Sequence, residues 1–117
     1  MHVWGTGAAS REYLYVEDAA AAIVRAAEVH ESPEPLNLGT NREITIRETV
    51  ETIAEVVGFA GDLVWDSSKP DGQPRRRVDA SRAEHALGWT ARMDFRKGLE
   101  NTVAWYLANR AIAEQAP

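Results

Sequence analysis

Cysteine is absent from this chain of 117 residues. That one absence removes disulfides, thiol nucleophiles and thiolate metal ligands together. Three histidines, His2, His30 and His85, stand at no metal-ligand spacing and have no cysteine to complete a zinc site with. They read as surface or capping groups. No run of about 18 apolar residues occurs, so no membrane span is expected. The opening stretch, MHVWGTGAASRE, holds no apolar h-region, so no signal peptide is expected. An excess of positive charge is also missing. Thirteen Lys+Arg stand against 18 Asp+Glu, a formal net charge of −5, which argues against nucleic acid or an anionic membrane as partner. A reducing, cytoplasmic setting fits these absences.

Several catalytic patterns are missing too. No serine sits in a G-x-S-x-G elbow. The GTG at 5–7 lacks the third glycine of a dinucleotide fingerprint, because position 10 is Ser10. Only three residues separate Met1 from Gly5, leaving little room for the strand that fingerprint needs. Gly5 and Gly7 therefore read as a turn. Tyr13, Tyr15 and Tyr106 are followed four residues later by Glu17, Ala19 and Arg110, so no Tyr-x-x-x-Lys pair for hydride chemistry exists.

What is present suits one globular unit over 1–117, with 44% apolar and 26% charged residues. Four helical patterns stand out. AAAAIVRAAEVH follows Asp18, a candidate N-cap, and ends before Pro33. Thr45 and Glu48 have capping-box spacing ahead of an apolar face of Ile46, Val50, Ile53, Ala54 and Val57, with Gly58 as the stop. Ser81 and Glu84 repeat the box spacing before Gly88. A last helix begins near Asp94, with Phe95, Leu99, Val103, Tyr106 and Leu107 on one face and Gly98 inside it. EYLYV (12–16), LNLG (36–39) and DLVW (62–65) read as short strands. The pattern predicts an α/β chain, or α+β as an isolated piece, of about four helices with strands too few for a doubly wound sheet.

Two places could hold an anion. Arg11 follows the glycine turn, where a guanidinium can fork two phosphate oxygens; the plainer reading is a surface pair with Glu12 or Glu17. SSKPDGQPRRRVD (67–79) gathers Lys69, Arg75, Arg76 and Arg77 and is stiffened by Pro70 and Pro74; the plainer reading is a solvated basic patch. Trp4 adds an aromatic face near Arg11, or simply packs.

VWGTGAASREYLYVEDAAAAI (3–23), LNLGTNREITIRETVETIAEVVGFAGDLVWDSSKPDGQPRRRVDASR (36–82) and LGW (87–89), taken in order, resemble the C-terminal portion of GDP-L-fucose synthases. These are extended short-chain dehydrogenase/reductases of the NAD-dependent epimerase/dehydratase superfamily. The resemblance implies the smaller, GDP-sugar-binding domain without the Rossmann core. The NADP(H) site and the catalytic Ser, Tyr and Lys of the full-length enzyme belong to that core, so no cofactor and no catalytic residue is expected in this chain. It further implies sugar-nucleotide contacts from Trp4, Arg11, Asp71 and Arg76, with Lys69 as a neighbour. The family usually has lysine where Arg76 stands and an apolar residue where Arg77 stands. A free-standing nucleotide-sugar-binding or oligomerisation module, or a gene remnant without a task, are the alternatives. Separated from a larger sheet, the 36–39 strand and the Ala-rich helix would lose cover, so a homo-oligomer built through one of them is expected.

Overall fold

Turn signals divide the chain into short alternating elements. The computed structural model describes residues 1–115. In order these hold β1 (His2–Trp4), β2 (Ser10–Arg11), α1 (Val16–Val29), β3 (Ile44–Thr45), α2 (Ile46–Val56), β4 (Val64–Asp66), β5 (Arg75–Arg76), α3 (Ser81–Leu87), α4 (Phe95–Ala108) and α5 (Arg110–Ala113). β1 pairs in parallel with β4. The second sheet runs β3-β2-β5, antiparallel then parallel. This is the small mixed α/β arrangement expected, with a fifth, four-residue helix added.

The predicted caps hold where they need no distant partner. Thr45 Oγ1 accepts from the Glu48 N–H, and Glu48 Oε2 accepts from the Thr45 N–H, completing the box. Asp94, near which the last helix is expected to begin, caps α4 by accepting from the Lys97 N–H. Two other caps differ. α1 starts at Val16, and Asp18 Oδ2 instead accepts from the Arg92 and Met93 N–H groups, tying α1 to the approach to α4. Ser81 opens α3 rather than capping it. Its N–H goes to Asp79 Oδ1, the Ala80 N–H goes to Asn41 Oδ1, and Glu84 accepts from Asn41 Nδ2. A side chain forty residues away thus replaces the local box.

The strands differ more. β2 lies at Ser10–Arg11, ahead of the predicted 12–16, because its antiparallel partner β3 is cut to two residues where Thr45 turns to cap α2. No strand forms at 36–39, which has no neighbouring strand to pair with. There Gly39 lies so close to Glu12 that a Cβ would come within 2.6 Å of its Oε1. The 62–65 strand is shifted to Val64–Asp66, and a strand, β1, does precede the glycine turn.

Packing is thin. α1 lies on α3 and α2 on α4. The buried apolar residues are Ala9, Ala22, Ala54, Ala80, Ala83 and Leu87, mostly alanines that let elements approach but bury little area each. On α4, Phe95, Leu99 and Val103 are half-buried, whereas Tyr106 and Leu107 of the predicted face are exposed. The radius of gyration is 17.0 Å, against about 13.4 Å for a compact chain of this length. Among the described residues no helix is long and apolar enough to cross a membrane.

Candidate functional site

Strand alternation sorts the cations of the 67–79 segment. Ser10 and Arg11 of β2 stand in register with Arg75 and Arg76 of β5, so Arg11 is the partner of Arg76. Register partners on neighbouring strands project to the same face, and successive residues to opposite faces. Arg76 therefore shares a face with Arg11, and Arg75 turns away. Arg75 Nε donates to Glu43 at 2.7 Å, and that bond, helped by the charges of Arg75 and Arg77 against desolvation, holds Glu43 below the usual carboxylate range. The four cations that the sequence gathers are thus not one cluster.

The shared face opens on a cavity of about 180 Å³ lined by Arg11, Glu12, Leu14, Leu38, Gly39 and residues 76–78. Arg11 is not paired to Glu12 or Glu17. Its Nη1 donates to the carbonyls of Ser10 at 2.6 Å and Gln73 at 2.8 Å. Backbone carbonyls orient the guanidinium without neutralising it, and among the described residues Nε and Nη2 take no partner. Glu12, whose importance sequence reasoning missed, accepts from the Thr40 N–H, the Asn41 N–H at 2.8 Å and the Val78 N–H at 2.9 Å. It anchors the two walls of the cavity to β2, and its charge is met by amides rather than by the arginines. Only its place beside Arg11 in the chain could have drawn attention to it.

Trp4 and Lys69 form a second group. Trp4 ends β1, is 70% exposed, and has Lys69 Nζ 5.7 Å from its ring centroid. Asp71 sits between the two groups. Its Oδ1 accepts from the Thr6 N–H at 2.6 Å and the Gly7 N–H at 3.3 Å, and its Oδ2 from Thr6 Oγ1 at 2.7 Å. The Thr6 hydroxyl first, then the Thr6 amide and, against desolvation, the Gly7 amide hold its pKa below the normal range. Behind this turn, Arg47 donates to the Thr6 carbonyl at 2.7 Å and lies 4.3 Å from the Trp65 ring centroid. The structure thus brings Arg11 to Arg76 and Trp4 to Lys69, with Asp71 turned onto the glycine turn that links them.

A further cavity of about 130 Å³, lined by Tyr13, Thr40, Arg42, Ile44, Met93, Asp94 and Phe95, holds one cation beside a carboxylate and suits an anion poorly. A cofactor pyrophosphate would call on the glycine turn. The amides of Thr6 and Gly7 already serve a carboxylate there, so that turn does not fit a dinucleotide.

Comparison with known proteins gives the chain a family. A probable GDP-L-fucose synthase of Oryza sativa subsp. japonica is 45% identical over 113 residues, covering 97% of this chain and 34% of the relative. The crystal structure of a GDP-L-fucose synthetase from Naegleria fowleri bound to NADP superposes with a TM-score of 0.86 at 28% identity, over 94% of this chain and 35% of the other. A UDP-glucose 4-epimerase of Thermotoga maritima, solved with UDP-glucose, gives 0.82 at 27% identity, over 94% and 35%. The chain spans about a third of the length of these relatives. The family model described as GDP-mannose 4,6 dehydratase matches residues 1–102. With its partial match to the extended short-chain dehydrogenase/reductase fold, the chain belongs to this family of sugar-nucleotide epimerases and reductases.

Proposed function

We propose that residues 1–117 form the sugar-nucleotide-binding part of a GDP-L-fucose synthase-like epimerase/reductase, with Arg11 and Arg76 holding the diphosphate. The observation that carries this reading is their register across β2 and β5 above one cavity. Two guanidiniums on one face match the charge of a diphosphate and offer forked donors to its oxygens. Trp4 and Lys69 lie at the far side of the glycine turn and would meet another portion of the ligand. The names of the relatives favour GDP as the nucleotide, and the UDP-glucose complex among the neighbours keeps the shared chemistry, a nucleoside diphosphate sugar, in view.

On this reading the acid–base and hydride chemistry of the relatives is carried by residues this chain does not match, and NADP(H) is held there too. The residues here bind and orient. Titrating the chain with GDP and following amide shifts by NMR tests the proposal. Shifts should centre on residues 10–12 and 74–78. Each charged hydrogen bond is worth about 1.5–3 kcal/mol, so Arg11→Ala and Arg76→Ala should each weaken binding about tenfold or more. Unchanged GDP shifts in both variants would remove the assignment.

A second reading, an oligomerisation module, draws on the exposed apolar residues of α1. Val16, Ile23 and Val24 are open to solvent.

A further inference from the structure

We infer that Asp71 is a positioning residue whose carboxylate, seated in the Gly5–Gly7 turn, fastens the 67–79 segment so that Arg76 is held opposite Arg11. The inference rests on the diphosphate reading of that pair and adds what keeps the pair assembled.

Every residue from 67 to 79 is exposed, so no apolar side chain anchors the segment. It is held by polar contacts, among them the Arg75–Glu43 ion pair, and by a set of hydrogen bonds. Lys69 N–H goes to the Asp66 carbonyl, the Ser10 N–H to the Pro74 carbonyl, and the Val78 N–H to Glu12. Asp71 makes three bonds at one point, more than any of these, and makes them to a turn over sixty residues away. The turn is shaped to receive it. Gly5 and Gly7 have φ of 84° and 79°, which aims successive amides at one spot. A Cβ on Gly5 would lie 2.3 Å from Asp71 Oδ1, so only glycine lets the carboxylate in.

Direct contact between Asp71 and the ligand is the rival role. It fits poorly, because all three donors to the carboxylate come from the Thr6–Gly7 turn and a carboxylate facing a diphosphate would repel it. Seated in the turn, the same charge is met by amides and sets the height of Gly72 and Gln73, whose carbonyl orients Arg11. The latch is therefore coupled to Arg11 through Gly72 and Gln73, and to Arg76 through residues 72–75.

The test compares the full chain with Asp71→Ala, Asp71→Asn and Thr6→Val. GDP is the probe, and the readouts are its Kd, the side-chain Nε–H resonances of Arg11 and Arg76, and hydrogen exchange at the Ser10 and Val78 amides. Asp71→Ala should weaken GDP about tenfold, speed exchange at Ser10 and Val78, and leave the α2 amides beyond its first turn as they were. Asn keeps an acceptor for the two amides and should recover most of the affinity, which a direct charge contact would not predict. If Asp71→Ala does not fold, Thr6→Val, which removes the hydroxyl that donates to Asp71 and accepts from the Ala8 N–H, should still weaken GDP about threefold. Wild-type affinity in the folded alanine variant overturns the inference, as does an asparagine variant no better than alanine. If the wild-type chain does not bind GDP at all, the diphosphate reading fails. The latch is then judged on exchange and the Arg11 Nε–H signal, and unchanged values in Asp71→Ala overturn it as well.

Discussion

Several carboxylates in this molecule take backbone amides rather than cations. Asp71, Asp79 and Glu48 each accept from N–H groups close by, and each has its pKa drawn down mainly by those and neighbouring hydroxyl donors. A carboxylate with a depressed folded pKa contributes stability above its unfolded value, and that stability is lost as pH falls through the folded value. Acid should therefore loosen the 67–81 region and the start of α2 together, below about pH 4. Amide exchange measured between pH 6 and pH 3 should show the Thr6, Gly7 and Ser81 amides losing protection before Ala54 does. Gly5→Ala is expected to cost about 1–3 kcal/mol, since the new Cβ meets Asp71 at a positive φ. Urea denaturation followed by circular dichroism would measure it.

Among the elements, α2 has the strongest local signals and α4 the most costly residue for propensity. Thr45→Ala removes the acceptor for the Glu48 amide and should cost about 1 kcal/mol of stability. Gly98 lowers the intrinsic propensity of α4, yet it is buried, and a Cβ there would lie 3.1 Å from Tyr15 Cδ2. The glycine is thus kept for close approach of α4 to the 13–15 segment. Gly98→Val should destabilise by about 1–3 kcal/mol despite removing a glycine from a helix. The same chemical denaturation separates the two, because Thr45→Ala leaves Tyr15 undisturbed.

At the scale of the whole chain, too little surface is covered. The accessible area is 8226 Å², whereas a compact monomer of this mass exposes about 6300 Å². The excess on this one chain is larger than the roughly 800 Å² that each partner buries in a standard interface. Val16, Ile23 and Val24 on α1, and Trp105, Leu107 and Ile112 near the other end, are all more than half exposed. We expect self-association at micromolar concentration through α1. The 36–39 segment, which the sequence offered as the other contact, forms no strand and so presents no ladder edge. Light scattering should give more than one copy of 12.9 kDa, and Ile23→Glu should return it to one. A clean monomer in the wild type refutes the expectation. A fluorescence titration with NADPH should show no tight binding, since the glycine turn is filled by Asp71.

Helices whose ends are capped within four residues, such as α2 and α4, were readable in the chain, because both partners of each bond lie in the same short window. So were the glycine turn, the cationic character of 67–79 and the family to which the motifs point. The strands were misplaced because a ladder depends on its partner, and the partner of β2 is shortened by a helix cap thirty-four residues on. Asp18 and Ser81 look like caps in sequence and serve otherwise, since the distant Met93 amide takes the Asp18 carboxylate and Asn41 takes that of Glu84, the other half of the Ser81 box. Which of the consecutive arginines would stand beside Arg11 had no local answer. The β2–β5 register set Arg76 there and turned Arg75 away, and the seat of Asp71 in a turn sixty-five residues away kept it so. Composition and spacing determine which charges exist and which helices begin where. Only tertiary pairing decides which charges meet, because alternation sends neighbours in the chain to opposite faces and register brings strangers together.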